Sequence, residues 1–205
     1  MLHGSFVWND NFREKELKME WQTLRMPTIP CWVLRSKVGQ LVLQPGYDDL
    51  TSRGHPCFLG RRQQHADFIA TVELSLKDTG QASDAGLAIF QNEHSFFFLG
   101  VRTSPSNTPE IFVEQGSGTA LAPAGTMLAR KQLPAGSHQI ELRITDAGPA
   151  ISFSYRLPEQ EWIQFVQDAD ATLLSTSKAG GFVGSFIGPF SRLKHSSCRE
   201  RNEDR

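Results

Sequence analysis

The sequence predicts an all-β fold, a two-sheet antiparallel β-sandwich. Three observations lead there. Apolar and polar residues alternate with period two in several segments, the pattern of a strand with one face buried. Turn formers are frequent, with 17 glycines and 11 prolines, and they stand beside 14 phenylalanines, a balance that suits many short strands. Ten or more such segments succeed one another without the helices that parallel crossovers need. At 205 residues the chain is long enough to bury a full core.

Along the chain, residues 12–24 place Leu17, Trp21 and Leu24 at helical spacing amid Glu and Lys, and local propensity predicts a short helix there. Residues 41–43 form a short strand. The polar run Gly60-Arg61-Arg62-Gln63-Gln64-His65 then leads into the most regular strand, residues 68–76. In it Phe68, Ala70, Val72, Leu74 and Leu76 share one face, with Thr71, Glu73 and Ser75 on the other. Residues 86–91, 95–101 and 111–114 are further strands, bounded by loops such as 103–109 and 116–125. Alternation returns in residues 138–144, where Ile140, Leu142 and Ile144 point inward, and again in 151–157. Asp146, Gly148 and Pro149 make a turn between those two. Residues 162–166 and 182–187 supply the last strands. No repeat of fixed period is present, which excludes a propeller or solenoid. Residues 196–205 lose all alternation, so the chain reads as one sandwich over 6–195 with a disordered polar tail over 196–205.

Charge and motif narrow the function. A net charge of −1 provides no broad basic field for nucleic acid and no polybasic membrane surface. No stretch approaches the ~18 consecutive apolar residues of a membrane span. The first eight residues reach Asn9-Asp10-Asn11 before a signal-peptide core could form. Cys31, Cys57 and Cys198 make neither a CxxC pair nor a dense disulfide framework, and an intracellular setting is the expectation. The histidines His3, His55, His65, His94, His138 and His195 show no zinc-binding spacing. A G-x-S-x-G elbow and a phosphate-binding glycine loop are both missing, so no cofactor or metal is expected. The close acidic pairs Asp48/Asp49, Glu159/Glu161 and Asp168/Asp170 all fall in turn-like stretches, where solvated carboxylates are usual. Paired glycosidase acids would have to face each other across a cleft, roughly 5–10 Å apart.

Three features stand out from this background. The run holding Arg61, Arg62, Gln63 and His65 either builds a recognition or docking surface or fixes loop backbone while its other members meet solvent. The aromatic run Phe96-Phe97-Phe98 offers either a sugar-stacking ring or, in a strand, core. In Ala179-Gly180-Gly181-Phe182-Val183-Gly184 the paired glycines permit positive φ, and Phe182 either stands away from the core or tucks into it.

Taken together, these motifs resemble the C-terminal concanavalin A-like domain of family 43 glycoside hydrolases, mostly β-xylosidases and α-L-arabinofuranosidases. The similarity begins at Asn9-Asp10-Asn11-Phe12 with Glu20-Trp21, and continues through Trp32 to Leu34, Gly39 to Leu43 and the Gly60–His65 run. Ala85-Gly86-Leu87 with Gln91-Asn92-Glu93, then Ser152 to Tyr155 and Trp162, extend it. Leu174-Ser175-Thr176 and Ala179 to Gly184 close it. The resemblance implies a concanavalin A-like jelly roll docked on a five-bladed propeller, whose three acidic residues hydrolyse the glycosidic bond with inversion. It also implies that the loop at Gly180, Gly181 and Phe182 reaches the rim of the substrate pocket, Phe182 narrowing it for xylo- or arabino-oligosaccharides. The match implies no role for Arg61, Arg62, Gln63 or His65. One departure is that family members end on a further strand after a basic residue and histidine, whereas here Lys194-His195 is succeeded by Ser196-Ser197-Cys198-Arg199. The sandwich is therefore expected to lack a recognisable final strand, which would leave an open edge through which a homo-oligomer could form.

The leading expectation is a non-catalytic accessory domain that lends a loop to a partner propeller. The alternative is an autonomous lectin-like module that stacks a sugar on Trp162. Catalysis by unpaired acids of this chain, or a decayed fragment, comes behind both.

Overall fold

The computed structural model describes residues 6–25, 30–77, 80–104, 107–121, 125–181 and 184–194. The strands are β1 (Trp21–Thr23), β2 (Trp32–Arg35), β3 (Gln40–Leu43), β4 (Cys57–Arg62), β5 (Phe68–Ser75), β6 (Ser83–Asn92) and β7 (Ser95–Ser104). They continue as β8 (Asn107–Gln115), β9 (Thr126–Gln132), β10 (Gln139–Ala147), β11 (Ala150–Arg156), β12 (Ile163–Asp170) and β13 (Phe186–Leu193). Between the last two lie a 3₁₀ turn (Ala171–Leu174) and a single helical turn, α1 (Thr176–Ala179). A seven-stranded sheet runs β1-β4-β13-β6-β7-β8-β9, a four-stranded sheet runs β12-β11-β10-β5, and β2 and β3 pair as a hairpin. Within all three the pairing is antiparallel. This is the predicted jelly-roll sandwich.

The two sheets face each other across one core. Ile89, Phe97, Leu99, Ile111 and Val113 of the larger sheet meet Ile140, Leu142, Ile144, Phe153 and Tyr155 of the smaller one. In the four-stranded sheet the alternation is clean, because its outer face is wet: Ile144 is fully buried while Ile69 is 67% exposed.

The seven-stranded sheet is apolar on both faces. On its outer face Phe58, Phe90, Phe96, Phe98, Phe112 and Phe190 form a second core with Leu50. Leu50 belongs to a flap, residues 44–56, laid over that face. The flap is tied down by a parallel bridge from Gly46 to Arg192 and by the Leu193 amide donating to the Gly46 carbonyl at 2.7 Å. Arg25 grips it from the other side, donating to the carbonyls of Ser52 (2.7 Å) and Gly54 and to Glu93 (2.8 Å). Charges complete the outer layer. Arg192, with a 3% exposed side chain, donates to Asp84 at 3.0 Å and also to Asp49 of the flap and Glu114 of β8. Burial pushes Asp84 upward, but the Arg102 hydrogen bond and the charges of Arg192 and Lys194 outweigh it and hold the carboxyl below its ordinary range.

Two elements differ from the sequence expectation. No helix forms over 12–24. Phe12 adopts φ 53°, the Asp10 carboxylate accepts from the Phe12 amide (2.8 Å) and from the Trp21 ring nitrogen (2.8 Å), and Trp21 enters β1 opposite Arg61. Those tertiary bonds override a weak local propensity. The strand expected at 182–187 instead spans Phe186–Leu193. There Gly188-Pro189 interrupts the alternation. Pro189 has no amide to donate, and the pairs to β4 run through Phe186, Ile187, Phe190 and Ser191 only. Residues 196–205, and with them both the predicted polar tail and the position of the family's last strand, lie outside the described residues.

Candidate functional site

Antiparallel register brings the distinctive loops to one end of the sandwich. Phe186, which opens β13, pairs with Arg62 at the end of β4 and with Phe90 near the end of β6. The segments that leave or enter these strands at that level therefore share one end: the 63–67 connection, the β6–β7 turn at Glu93 and His94, and the 180–185 loop. Two hydrogen bonds tie these pieces together: the Gln63 amide donates to the Ser185 carbonyl at 2.8 Å, and Asn92 Nδ2 donates to the Ala179 carbonyl at 2.8 Å. Nearby, the Ala171 amide donates to the Pro149 carbonyl at 3.0 Å. Buried Ser185 also donates from its hydroxyl to Gln91 Oε1 at 3.2 Å.

The arginine run divides its labour. Arg61 lays its guanidinium 4.5 Å from the Trp8 ring and donates to Gln64 Oε1 at 2.9 Å. Exposed Arg62 lies 5.7 Å from the Phe186 ring, beside Gly184. Gln63 spends its side-chain amide on the His65 carbonyl at 3.0 Å, fixing the turn. His65 stacks on Phe6 with centroids 4.9 Å apart and planes inclined by 16°. Trp8 in turn meets the edge of Trp21 at 5.2 Å, so the run borders an aromatic patch made by residues 6–21. These aromatics follow no periodic pattern in the chain, and no sequence signal announces their meeting.

On the other side of this end, the Asp170 carboxylate caps the 3₁₀ turn through the Thr172 amide (3.0 Å) and accepts from Lys178 at 2.7 Å. The Lys178 and Thr172 bonds hold it down at about 2. α1 then ends on Gly180 and Gly181, at φ 73° and 75°. Among the described residues, chain neighbours aside, no atom lies within 4 Å of where a Cβ would stand on either, and the positive φ is what calls for glycine at both positions. Phe182 and Val183 lie outside the described residues. The described flanks of this segment are each held, Ala179 by Asn92 and Ser185 by Gln63.

The sequence does not single out one carboxyl at this end. Asp146, 7% exposed at the end of β10, succeeds Ile144 on the inward face and keeps Oδ1 buried with no partner among the described residues. Burial first, then the nearby Asp67 charge, raises it to about 6. Its turn-like neighbourhood disguises it as a surface acid.

The remaining aromatic candidates lie elsewhere. Trp162 stands just before β12 and so at the far end of that strand from Asp170, half-buried, with the Arg143 guanidinium 3.6 Å from its ring and that of Arg156 at 4.8 Å. Arg156 is itself held by Glu141 at 2.8 and 2.9 Å. Phe96, Phe97 and Phe98 are fully buried and present no ring to a sugar. Among the described residues no group of three or more His, Cys, Asp or Glu is placed to hold a metal, and no helix is long and apolar enough to cross a membrane.

Comparison with known proteins supplies the context for this end. Residues 9–200 match the family described as the beta xylosidase C-terminal concanavalin A-like domain. The non-reducing end alpha-L-arabinofuranosidase BoGH43B of Bacteroides ovatus is 25% identical over 198 residues, which are 91% of this chain and 35% of that protein. A putative beta-xylosidase of Escherichia coli K12 is 25% identical over 194 residues, 88% of this chain and 34% of the relative. Among solved structures, a GH43_12 protein retrieved from a capybara gut metagenome superposes with a TM-score of 0.82 at 25% identity, over 93% of this chain and 35% of that one. The chain thus spans about a third of the length of the curated relatives it matches.

Proposed function

Because the chain belongs to the beta-xylosidase C-terminal concanavalin A-like domain family, we propose that it docks on a catalytic five-bladed propeller and completes its substrate pocket with the loop that carries Phe182. The domain corresponds to the non-catalytic C-terminal module of family 43 enzymes, and in this reading the chemistry belongs to the partner propeller. The substrate class we assign is short xylo- or arabino-oligosaccharides. The observation that carries the reading is the convergence at one end of the sandwich. The arginine run and the double-glycine loop, far apart in sequence, are joined there by the Gln63–Ser185 bond, and Asn92 anchors the other flank.

The mechanism is steric. A loop anchored on both sides and turning through Gly180 and Gly181 holds an aromatic ring against a bound sugar at small entropic cost, and so orients the sugar and excludes water. Arg62 and His65, exposed at the same end, supply polar contacts to the propeller.

The test uses the propeller of a family 43 arabinofuranosidase expressed without its own C-terminal domain. Adding this chain is expected to give a co-eluting complex and to raise kcat/KM on an aryl xyloside or arabinofuranoside by roughly tenfold or more. Phe182→Ala is expected to co-elute and to lose most of that gain. No co-elution with unchanged turnover overturns the reading. A thermal titration of the chain alone with xylobiose separates it from an autonomous binding module. A ligand at ten times Kd would add about 1.4 kcal/mol and raise Tm by about 3–5 °C, and we expect no shift.

A further inference from the structure

We infer that Cys31 and Cys57 form a redox-active thiol pair that closes to a disulfide by exchange with a small-molecule disulfide, stapling the flap to the larger sheet. The two residues come from different elements. Cys31 precedes β2, at the start of the segment that runs into the flap, and Cys57 opens β4 where that segment ends. The Cys57 thiol donates to the Cys31 carbonyl at 3.0 Å, which sets its sulfur against Cys31. Both are free cysteines, joined by no disulfide.

Their surroundings give them different tasks. Cys31 is half-buried, and the neighbouring Cys57 holds its thiol below the ordinary value despite that partial burial. It is the group an external disulfide reaches first. Cys57 is 1% exposed, and the Cys31 contact together with burial keeps its thiol protonated. That order fixes the chemistry. The Cys31 thiolate attacks one sulfur of glutathione disulfide, forming a mixed disulfide and releasing one glutathione thiolate. Once Cys31 is capped, the negative charge that opposed ionisation of Cys57 is gone. Cys57 then attacks the Cys31 sulfur and releases the second glutathione. Two protein thiols are oxidised, one glutathione disulfide is reduced to two thiols, and both protons end on the released glutathiones.

The bond would close the 31–57 segment, which carries β2, β3, Asp49 and Leu50. Its closure restricts the unfolded chain and pins both ends of the flap.

The test incubates the full chain with excess glutathione disulfide, then counts thiols and maps non-reduced peptides. The link is expected to join Cys31 to Cys57 alone, with Cys198 free or capped by glutathione, and Tm is expected to rise by about 5–10 °C. Cys198→Ser is expected to form the same link. Cys31→Ser and Cys57→Ala are each expected to abolish it, and in Cys31→Ser the Cys57 thiol stays unreactive until the protein unfolds. Glutathione retained on Cys31 without resolution, a link through Cys198, or thiols left unchanged each overturn the inference.

Discussion

At the scale of single residues, two buried charges behave in opposite ways. Arg192 is matched by three carboxylates, whereas burial and a like charge act on Asp146. Removing Arg192 leaves Asp49, Asp84 and Glu114 without their shared cation, so Arg192→Ala is expected to cost about 3–5 kcal/mol, read from the urea midpoint. Asp146 is the reverse case. Its native value, about 6, stands above the ordinary 3.8, so the folded state binds its proton more tightly than the unfolded chain does. Its contribution is present below about pH 4 and is lost as pH rises to about 6. Asp146→Asn should therefore raise stability at pH 7 by about 1–3 kcal/mol and flatten the stability profile between about pH 4 and 6, measured by urea unfolding across that range. Neither residue is legible as special in the sequence. Asp146 stands in a turn signal, and Arg192 has partners up to 143 residues away in the chain. Composition with spacing is legible: the Arg61–His65 run and the Gly180-Gly181 pair are distinctive in the sequence alone, and the structure brings their neighbourhoods to the same end.

At the scale of elements, legibility tracks solvent. β5, β10 and β11 can be read in place because one face of their sheet is wet and the period of two survives. β4 carries buried residues from Cys57 through Gly60 and has no alternation to read, while β9 is an edge strand exposed over most of its length. The helix over 12–24 fails for a different reason: its pattern is real, but Asp10 and the β1–β4 pairing claim Trp21. β13 is hard to place because Gly188-Pro189 looks like a turn. The glycine is there for proximity: a Cβ on it would sit 2.0 Å from the Leu59 carbonyl oxygen. Gly188→Ala is accordingly expected to pry β13 from β4 and to cost about 2–4 kcal/mol, checked by chemical denaturation. The flap is the other element with a sharp test. Leu50→Ala opens a void against the outer phenylalanines and should cost about 2–5 kcal/mol, with dye binding reporting the uncovered face.

At the scale of the whole molecule, the larger sheet is a middle layer, with the smaller sheet on one side and the flap on the other. The sandwich class, but not this third layer, can be read from the sequence. Residues 44–56 look like an ordinary loop, and only the continuous apolar run of β7 hints that both faces of its sheet are covered. The layering implies that a variant loosened only at the flap keeps the inter-sheet core. Leu50→Ala should retain a near-native far-ultraviolet spectrum while it loses protection of amides on the outer phenylalanine strands, measured by hydrogen exchange. β13 lies between β4 and β6 and is the last strand described, yet it alone joins β1 and β4 to the remaining strands of its sheet. On a ribosome the nascent chain must therefore hold a sheet in two unjoined parts, with the β4 and β6 edges unpaired, until residues 186–193 emerge. Synthesis is the period in which this domain is most exposed to aggregation, and a chaperone that shields strand edges would act on it then.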